Sequence, residues 1–324
     1  MLNQILVPVV SLGGLGLVFG SLLAYASHKF AVEVDERVEK IIEALPAANC
    51  GACGYAGCAA FAAGVVAGDV PANGCPVGGN AVASEIANIM GVTAADVSKS
   101  IARMLCNGTC EEAKDRYEYF GVSDCVAAAK LGGGQKACQY GCLGLGTCVK
   151  ACQFDAITIK DGIAVINEQK CTACEKCLTA CPKQVIALIS EKNQTWVMCK
   201  SKDNAKEVRG VCTTGCIACK LCEKACKFDA VHVENNVATV DYKKCVNCNQ
   251  CVIKCPKKII RGKTRNEKAF IEEEACIGCT ICKKQCKFDA VEGELKTKHR
   301  IINEKCVGCG VCAQKCPKKC IEIK

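Results

Sequence analysis

Cysteines with a repeated spacing carry most of the chemistry available to this chain. Cysteine makes up 34 of the 324 residues. Five groups have the spacing C-x2-C-x2-C-x3-C: Cys171, Cys174, Cys177 and Cys181; Cys216, Cys219, Cys222 and Cys226; Cys245, Cys248, Cys251 and Cys255; Cys276, Cys279, Cys282 and Cys286; and Cys306, Cys309, Cys312 and Cys316. In this spacing three thiolates reach three iron atoms of one [4Fe–4S] cubane, and the fourth reaches a neighbouring cubane. The pattern predicts paired [4Fe–4S] clusters.

A sixth, less regular group precedes them and consists of Cys138, Cys142, Cys148 and Cys152. Taken in pairs, the six groups form three units of the kind found in two-cluster bacterial ferredoxins, where the fourth cysteine of each group completes its partner's site. The predicted ligand sets are Cys138, Cys142, Cys148 and Cys181; Cys152, Cys171, Cys174 and Cys177; Cys216, Cys219, Cys222 and Cys255; Cys226, Cys245, Cys248 and Cys251; Cys276, Cys279, Cys282 and Cys316; and Cys286, Cys306, Cys309 and Cys312.

A seventh group near the N-terminus has a different spacing. Cys50, Cys53 and Cys58 lie in a segment rich in glycine and alanine, and Cys75 follows before a proline. Small neighbours let backbone N–H groups approach cluster sulfurs. This group predicts one further [4Fe–4S] cluster, with a zinc knuckle as the alternative.

Six cysteines lie outside these seven groups. Five of them occur in two linkers and are candidates for an eighth cluster: Cys106, Cys110, Cys125, Cys199 and Cys212. The alternative is that they are free buried thiols, which pack as small apolar side chains. The sequence does not select four ligands among the five. We interpret Cys320 as a free thiol.

Other uses of cysteine fit the spacing less well. Structural zinc sites show paired C-x2-C knuckles rather than triplets with a trailing fourth cysteine. Disulfide frameworks need an oxidising compartment, and closely packed triplets are poor disulfide partners. No intact G-x-G-x-x-G fingerprint of a dinucleotide site is present, since Gly144-x-Gly146 lacks the third glycine. We therefore expect no flavin or NAD in this chain, which lacks a complete active site and is only part of an oxidoreductase.

Short elements must position these groups, because only 5% of the residues are aromatic and one large core is not expected. Ala156–Ile159 and Ala230–Val233 follow fourth cysteines and are predicted strands, whereas residues 32–45 and 80–130 are predicted helical. The fold class is α+β: an N-terminal transmembrane helix, a small four-cysteine [4Fe–4S] domain, then tandem two-cluster bacterial ferredoxin-like units. The predicted boundaries are 1–28 (anchor), 29–95 (four-cysteine domain), 96–130 (helical linker), 131–190 (ferredoxin unit 1), 191–214 (linker), 215–261 (ferredoxin unit 2) and 262–324 (ferredoxin unit 3).

The N-terminal segment predicts a membrane anchor. The segment from Leu2 to Ala26 contains no charged side chain, and it is long enough for one helix across a bilayer. The basic residues of a secretory signal are missing before it. His28 and Lys29 follow it, which favours a cytoplasmic location for the rest of the chain, as does the disulfide-free use of cysteine.

Charge argues against a nucleic-acid partner. The formal charge of +9 counts every cysteine as neutral, whereas a ligating thiol is deprotonated. An oxidised cubane with its four thiolates carries about −2, so seven clusters bring the loaded chain to about −5. The loaded protein is therefore expected to be acidic.

The order of the modules resembles one family over essentially the whole chain. An apolar N-terminal stretch, CGACGYAGC, KACQYGCLGLGTCVKACQFDAI and then further ferredoxin motifs resemble the B subunit of the Rnf complex, the ion-translocating ferredoxin:NAD⁺ oxidoreductase, in a long multi-ferredoxin form. The chain departs from the family at Gln153, Lys227 and Lys287, where proline is usual.

The resemblance implies a protein of the cell (inner) membrane, with a single N-terminal anchor and its cluster domains on the cytoplasmic side. Soluble ferredoxin would be the electron donor and membrane subunits of the same complex the acceptors. By geometry we expect electrons to enter at the C-terminal ferredoxin unit and to leave at the Cys50–Cys75 cluster. Two other functions are alternatives: a polyferredoxin of a membrane hydrogenase-type complex, and an iron–sulfur redox sensor.

Overall fold

The computed structural model describes residues 2–29, 35–93, 98–262 and 267–324. The helices are α1 Leu2–Lys29, α2 Glu36–Ala44, α3 Cys58–Ala67, α4 Gly79–Met90, α5 Cys125–Lys130, α6 Thr147–Ala151, α7 Lys176–Ala180, α8 Ala205–Val211, α9 Leu221–Ala225, α10 Gln250–Lys254, α11 Ile281–Gln285 and α12 Val311–Lys315. The strands are β1 Ser100–Met104, β2 Ile157–Lys160, β3 Ile163–Ile166, β4 Ile186–Ser190, β5 Trp196–Val197, β6 Val231–Glu234, β7 Val237–Val240, β8 Ile260–Arg261, β9 Ala269–Ile271, β10 Val291–Glu292, β11 Arg300–Ile301 and β12 Ile321–Ile323.

The N-terminal helix α1 exposes its large apolar side chains from Leu12 to Tyr25. Within the described ranges, however, we find no helix whose length and apolar character suffice for crossing a membrane. The anchor predicted for residues 1–28 is not confirmed and stays a prediction.

The four-cysteine domain has a core of its own, built by three helices. Ile41 of α2, Phe61 of α3 and Ile86 of α4 are fully buried against one another, together with Cys75. The Asp35 side chain caps α2 by accepting the backbone N–H of Arg37. The helix predicted over residues 32–45 is confirmed from Glu36 to Ala44, and residues 32–34 lie outside the described part of the chain.

The three ferredoxin units share one topology. Each unit contains, in order, a strand, a five-residue helix, a β-hairpin, a second five-residue helix and a closing strand. In units 1 and 2 the first strand lies before the predicted boundary of the unit, and α5 or α8 follows it before the first five-residue helix. The hairpins pair β2 with β3, β6 with β7 and β10 with β11, all antiparallel. The first strand pairs antiparallel with the closing strand in each unit, as β1–β4, β5–β8 and β9–β12. The first and closing strands thus hold the two ends of each unit together.

The helix predicted over residues 80–130 is wrong in its middle. Residues 79–90 and 125–130 are helical, but residues 100–104 form β1, which pairs with β4 from Ser100↔Ser190 to Met104↔Ile186. Arg103 is buried on this strand, ion-paired with Glu168 and stacked 4.3 Å from the Trp196 ring centroid. Because these partners lie far away in sequence, local propensity could not reveal the strand. The strands predicted after Cys152 and Cys226 are confirmed as β2 and β6.

Candidate iron–sulfur centres

Each of the six cysteine groups in the ferredoxin units is shaped by two left-handed backbone positions. One lies two residues after the first cysteine of a group, and the other lies two residues before the third cysteine, where the five-residue helix begins. The positions are Gly144 and Gly146, Ala173 and Glu175, Ala218 and Lys220, Asn247 and Asn249, Gly278 and Thr280, and Gly308 and Gly310. Alternation of left- and right-handed residues turns successive backbone N–H groups into an anion-binding concavity, which is a known setting for Fe–S clusters. The fourth cysteine ends each helix.

This pattern aligns the irregular first group differently from the predicted alignment. Its left-handed residues are Gly144 and Gly146, so Cys142 has the place of a first cysteine and Cys148 that of a third. Leu145 stands where the regular groups have their second cysteine. The C-x-G-x-G-x-C spacing was the signal in the sequence that could have revealed this alignment.

The repeated Phe-Asp-Ala segment has a local role at the fourth cysteine of each first group. The aspartate takes a left-handed conformation in all three copies, and the next backbone N–H donates to the cysteine sulfur. The donors are Ala156 to Cys152 (3.4 Å), Ala230 to Cys226 (3.3 Å) and Ala290 to Cys286 (3.4 Å). Hydrogen bonds to sulfur stabilise a charged thiolate and tune the cluster potential.

Two of the predicted ligand sets line small cavities. In ferredoxin unit 2 the cavity is lined by Cys216, Cys219, Cys222 and Cys255. In ferredoxin unit 3 it is lined by Cys276, Cys279, Cys282 and Cys316. Each cavity therefore receives three thiols from one group and the fourth thiol from its partner group.

Cys320 and His299 also line the cavity of unit 3. The Cys320 sulfur lies 3.5 Å from that of Cys316, and His299 Nδ1 lies 3.9 Å from the Cys276 sulfur. The thiol interpreted as free thus contacts a predicted ligand.

In three further ligand sets, burial and neighbouring thiols together raise the pKa of the third cysteine of a group. Burial, and then the charges of the cysteines in the same set, raise the pKa of Cys177, Cys251 and Cys312. The contributing neighbours include the crossing cysteines Cys152, Cys226 and Cys286. The structure therefore brings these predicted sets together.

The four-cysteine domain brings its group together beside ferredoxin unit 1. Burial, and further the charges on Cys53 and Cys50, raise the pKa of Cys75. Cys58 begins α3, and its backbone N–H donates to the Asn49 side chain at 2.8 Å. Cys50 shares an open groove with Cys174 of ferredoxin unit 1.

The five linker cysteines lie in three different settings. Cys106, Cys199 and Cys212 line one cavity, together with Cys138. Cys110 is exposed and does not line that cavity. Cys125 begins α5 beside the first group of ferredoxin unit 1, where its backbone N–H donates to Thr147 Oγ1 at 2.6 Å.

The donor chemistry fits [4Fe–4S] clusters. All 34 cysteines are free, and only Cys110 and Cys219 among them are exposed. Among the described residues, no three His, Cys, Asp or Glu side chains converge closely enough to hold one metal ion. The thiols instead surround cavities, next to backbone N–H groups that favour an anion. Burial raises the pKa of Cys142 to about 11, so this thiol is protonated without iron and loses its proton on binding it.

Family models match four ranges of the chain. Two 4Fe-4S dicluster domain models match residues 215–260 and 269–323, and a 4Fe-4S binding domain model matches residues 163–186. A putative Fe-S cluster model matches residues 45–77. None of these four ranges includes residues 98–162.

Relatives with known names match most of the chain. The B subunit of the Na⁺-translocating ferredoxin:NAD⁺ oxidoreductase complex of Acetobacterium woodii is 48% identical over 263 residues, which cover 81% of this chain and 79% of that protein. The B subunit of the ion-translocating oxidoreductase complex of Methanosarcina acetivorans is 40% identical, covering 80% of this chain and 99% of that protein. The B subunit of the proton-translocating ferredoxin:NAD⁺ oxidoreductase complex of Clostridium ljungdahlii is 42% identical, covering 80% of this chain and 93% of that protein.

This chain belongs to the Rnf B-subunit family. It is an iron–sulfur electron-transfer subunit, with several 4Fe–4S domains. The names of the relatives differ in the translocated ion, which is Na⁺ in one and the proton in another.

Ferredoxin units 2 and 3 of this Rnf B-family chain meet through equivalent residues. Lys227 Nζ donates to the Lys287 carbonyl at 2.6 Å, and Lys287 Nζ donates to the Lys227 carbonyl at 2.7 Å. Each ammonium also lies over the other unit's phenylalanine, 4.7 Å from the Phe288 ring centroid and 5.0 Å from that of Phe228. The two departures from proline therefore build a reciprocal contact, which we call the Lys–Phe junction.

Loss of the Lys–Phe junction is expected to weaken the contact between ferredoxin units 2 and 3. Lys227→Ala with Lys287→Ala removes two cation–π contacts and two hydrogen bonds, each worth about 0.5–1 kcal/mol at an exposed site. Burial raises the pKa of Cys248, and the charge on Cys309 across the units adds a smaller contribution, so these two cysteines lie near each other. We expect weaker magnetic coupling between the reduced clusters of the two units, measured by EPR line broadening.

A matched control exists on the helices that precede Lys227 and Lys287. Lys224→Ala with Lys284→Ala removes the same charge from exposed positions of α9 and α11 and should leave the coupling unchanged. Equal broadening in all variants would show that the junction does not set the distance between the clusters.

Proposed function

We propose that this chain accepts electrons from reduced ferredoxin and relays them, one at a time, to the other subunits of an ion-translocating ferredoxin:NAD⁺ oxidoreductase complex. The observation that carries the proposal is a series of cysteine-lined sites that follow one another through the fold. A bound [4Fe–4S] cluster accepts and returns a single electron. The protein holds each cluster by four thiolates and shields it by burial.

The two ends of the series support a direction of transfer. At one end lies the four-cysteine domain, which directly follows α1. Its Cys50 lines the same groove as Cys174 of ferredoxin unit 1. At the other end Cys276, Cys279 and Cys282 belong to the last unit of the chain, beyond the Lys–Phe junction. We infer entry at this C-terminal unit and exit at the Cys50–Cys75 cluster.

Residues of the chain would tune the transfer rather than carry out bond chemistry. Backbone N–H groups, such as that of Ala230 toward Cys226, stabilise the negative charge on ligand sulfurs. Lys227 and Lys287 lie directly after such ligands, and their positive charges favour the more negative, reduced form of a nearby cluster.

Electron uptake from ferredoxin tests the proposal. Full-length protein, purified without oxygen in detergent, is mixed with reduced two-cluster ferredoxin. We expect rapid bleaching of the visible absorbance of the oxidised clusters, in a chain that contains about 28 or 32 iron atoms for seven or eight clusters. A control with oxidised ferredoxin should leave the absorbance unchanged. A chain with its full iron content that takes up no electrons from reduced ferredoxin would contradict the proposal.

We also propose that α1 anchors the chain in the cell (inner) membrane, with the cluster domains on the cytoplasmic side. Leu2 to Ala26 carry no charge, and the exposed apolar side chains between Leu12 and Tyr25 need cover from lipid or from a neighbouring helix.

Removal of residues 1–28 is expected to shift the chain from the membrane fraction to the soluble fraction, with its iron content unchanged. Retention of the shortened chain on membranes washed with high salt would assign attachment to another surface.

A further inference from the structure

A cavity lies between ferredoxin units 1 and 2 and is lined by four cysteines from four separate segments. The cysteines are Cys106, Cys138, Cys199 and Cys212. Cys106 follows β1, Cys138 lies before Cys142 at the start of unit 1, and the other two flank α8 in the linker.

The backbone approaches these thiols where a side chain would obstruct it. A Cβ atom at Gly108 would lie 3.0 Å from that of Ala113, and 3.6 and 3.7 Å from the sulfurs of Cys212 and Cys106. Glycine is therefore needed for this close approach.

The charges around the cavity favour an anionic occupant. Lys136 lines it with 3% of its surface exposed, and its ammonium donates to the Gly108 carbonyl at 2.5 Å. Lys200 also lines the cavity, whereas no Asp or Glu does among the described residues. A buried cation requires compensation by a negative charge. A [4Fe–4S] cluster with four thiolates carries that charge.

The same cavity touches the first cysteine group of each flanking unit. The backbone N–H of Cys142 donates to the Cys106 sulfur at 3.4 Å, and the backbone N–H of Cys216 donates to the Cys199 sulfur at 3.3 Å. Cys142 and Cys216 each occupy the first position of their group. The cavity thus lies on the direct route from unit 1 to unit 2.

Cys125 begins α5 and lies beside the group that contains Cys142 and Cys148. Its backbone N–H donates to Thr147 Oγ1 at 2.6 Å, directly before Cys148 in the chain. The Ser123 hydroxyl donates to the Leu145 carbonyl at 3.1 Å, so the segment before α5 is held against the position that lacks a cysteine.

We propose that Cys106, Cys138, Cys199 and Cys212 hold an eighth [4Fe–4S] cluster, and that Cys125 joins Cys142, Cys148 and Cys181 in ferredoxin unit 1. The eighth site connects units 1 and 2. One electron enters it from one flanking unit and the same electron leaves to the other, with no bond made or broken. This connecting role rests on the proposed function, whereas the ligand set does not.

Iron counting on full-length protein, purified without oxygen, tests the ligand set. Wild type should contain about 32 iron atoms per chain, and Cys138→Ala and Cys199→Ala about 28 each. The double variant should also contain about 28, because both cysteines bind the same cluster. Cys110→Ala, a control in the same linker, should keep about 32.

Three results would overturn the proposal: about 28 iron atoms in wild type, about 24 in the double variant, or loss of iron in Cys110→Ala. If circular dichroism shows that a cysteine variant is unfolded, the variant Lys136→Met tests the eighth site instead. It keeps every ligand, so it should keep about 32 iron atoms and lower the potential of one cluster in an EPR redox titration. An unchanged set of potentials would contradict an anionic group beside Lys136. Since ferredoxin takes no part in these measurements, a failure of ferredoxin to reduce the chain would overturn the proposed function alone.

Discussion

Cys125→Ala is expected to lose one cluster, about four iron atoms per chain, although Cys125 lies outside every regular cysteine group. The reason is the alignment of ferredoxin unit 1, where left-handed Gly144 and Gly146 give Leu145 the place of a second cysteine. Without Cys125 only three thiols would remain for this cluster. Iron content and the Mössbauer spectrum of full-length protein measure the loss.

The alignment also predicts a rescue. Leu145→Cys restores the regular C-x2-C-x2-C-x3-C spacing from Cys142 to Cys152. In the Cys125→Ala background it should therefore return the iron content to that of wild type, whereas Leu145→Cys alone should change nothing. Wild-type iron in Cys125→Ala would exclude Cys125 as a ligand. Loss without rescue would show that Leu145 does not occupy the second position.

Removal of iron is expected to unfold the three ferredoxin units. Their helices are five residues long and their sheets two-stranded, and neither element is stable in isolation. Cysteines also form much of each core, such as Cys282, Cys306 and Cys312 in unit 3. A structural metal site contributes on the order of 10 kcal/mol, comparable to the whole stability of a small domain.

The four-cysteine domain should retain more structure than the units. Its core also contains Ile41, Phe61 and Ile86, which come from helices of nine to twelve residues. After anaerobic chelation, hydrogen exchange read by mass spectrometry should show full exchange in β2, β6 and α9 and residual protection in α3 and α4. Retained protection of the hairpins in iron-free protein would contradict this expectation. Re-addition of iron and sulfide is the control for reversibility.

The regular groups could be predicted from sequence because their geometry is local. Two left-handed residues and a five-residue helix place three thiols within one short loop, and the crossing fourth thiol follows from the pairing of groups. The sets that line the cavities of units 2 and 3 agree with this rule. The strands after Phe-Asp-Ala could be predicted for the same reason, since β2 and β6 form hairpins with the next strand along the chain.

The long-range features could not be predicted in this way. The pairing of β1 with β4 joins residues that are 82 to 90 positions apart and overrides the local helical prediction. The reciprocal contact of Lys227 and Lys287 depends on the orientation of two units. The sequence of one segment alone does not indicate which distant segment it contacts.

By itself, therefore, the sequence determined the cluster type, the repeated units and the family, because ligand spacing within one loop specifies local geometry. Only the tertiary structure decided which distant thiols share a cavity. It brings Cys106, Cys138, Cys199 and Cys212 together and places Cys125 beside Cys148. The physical reason is that a cubane needs four thiolates converging in space, and convergence of separate segments is a property of chain packing rather than of spacing.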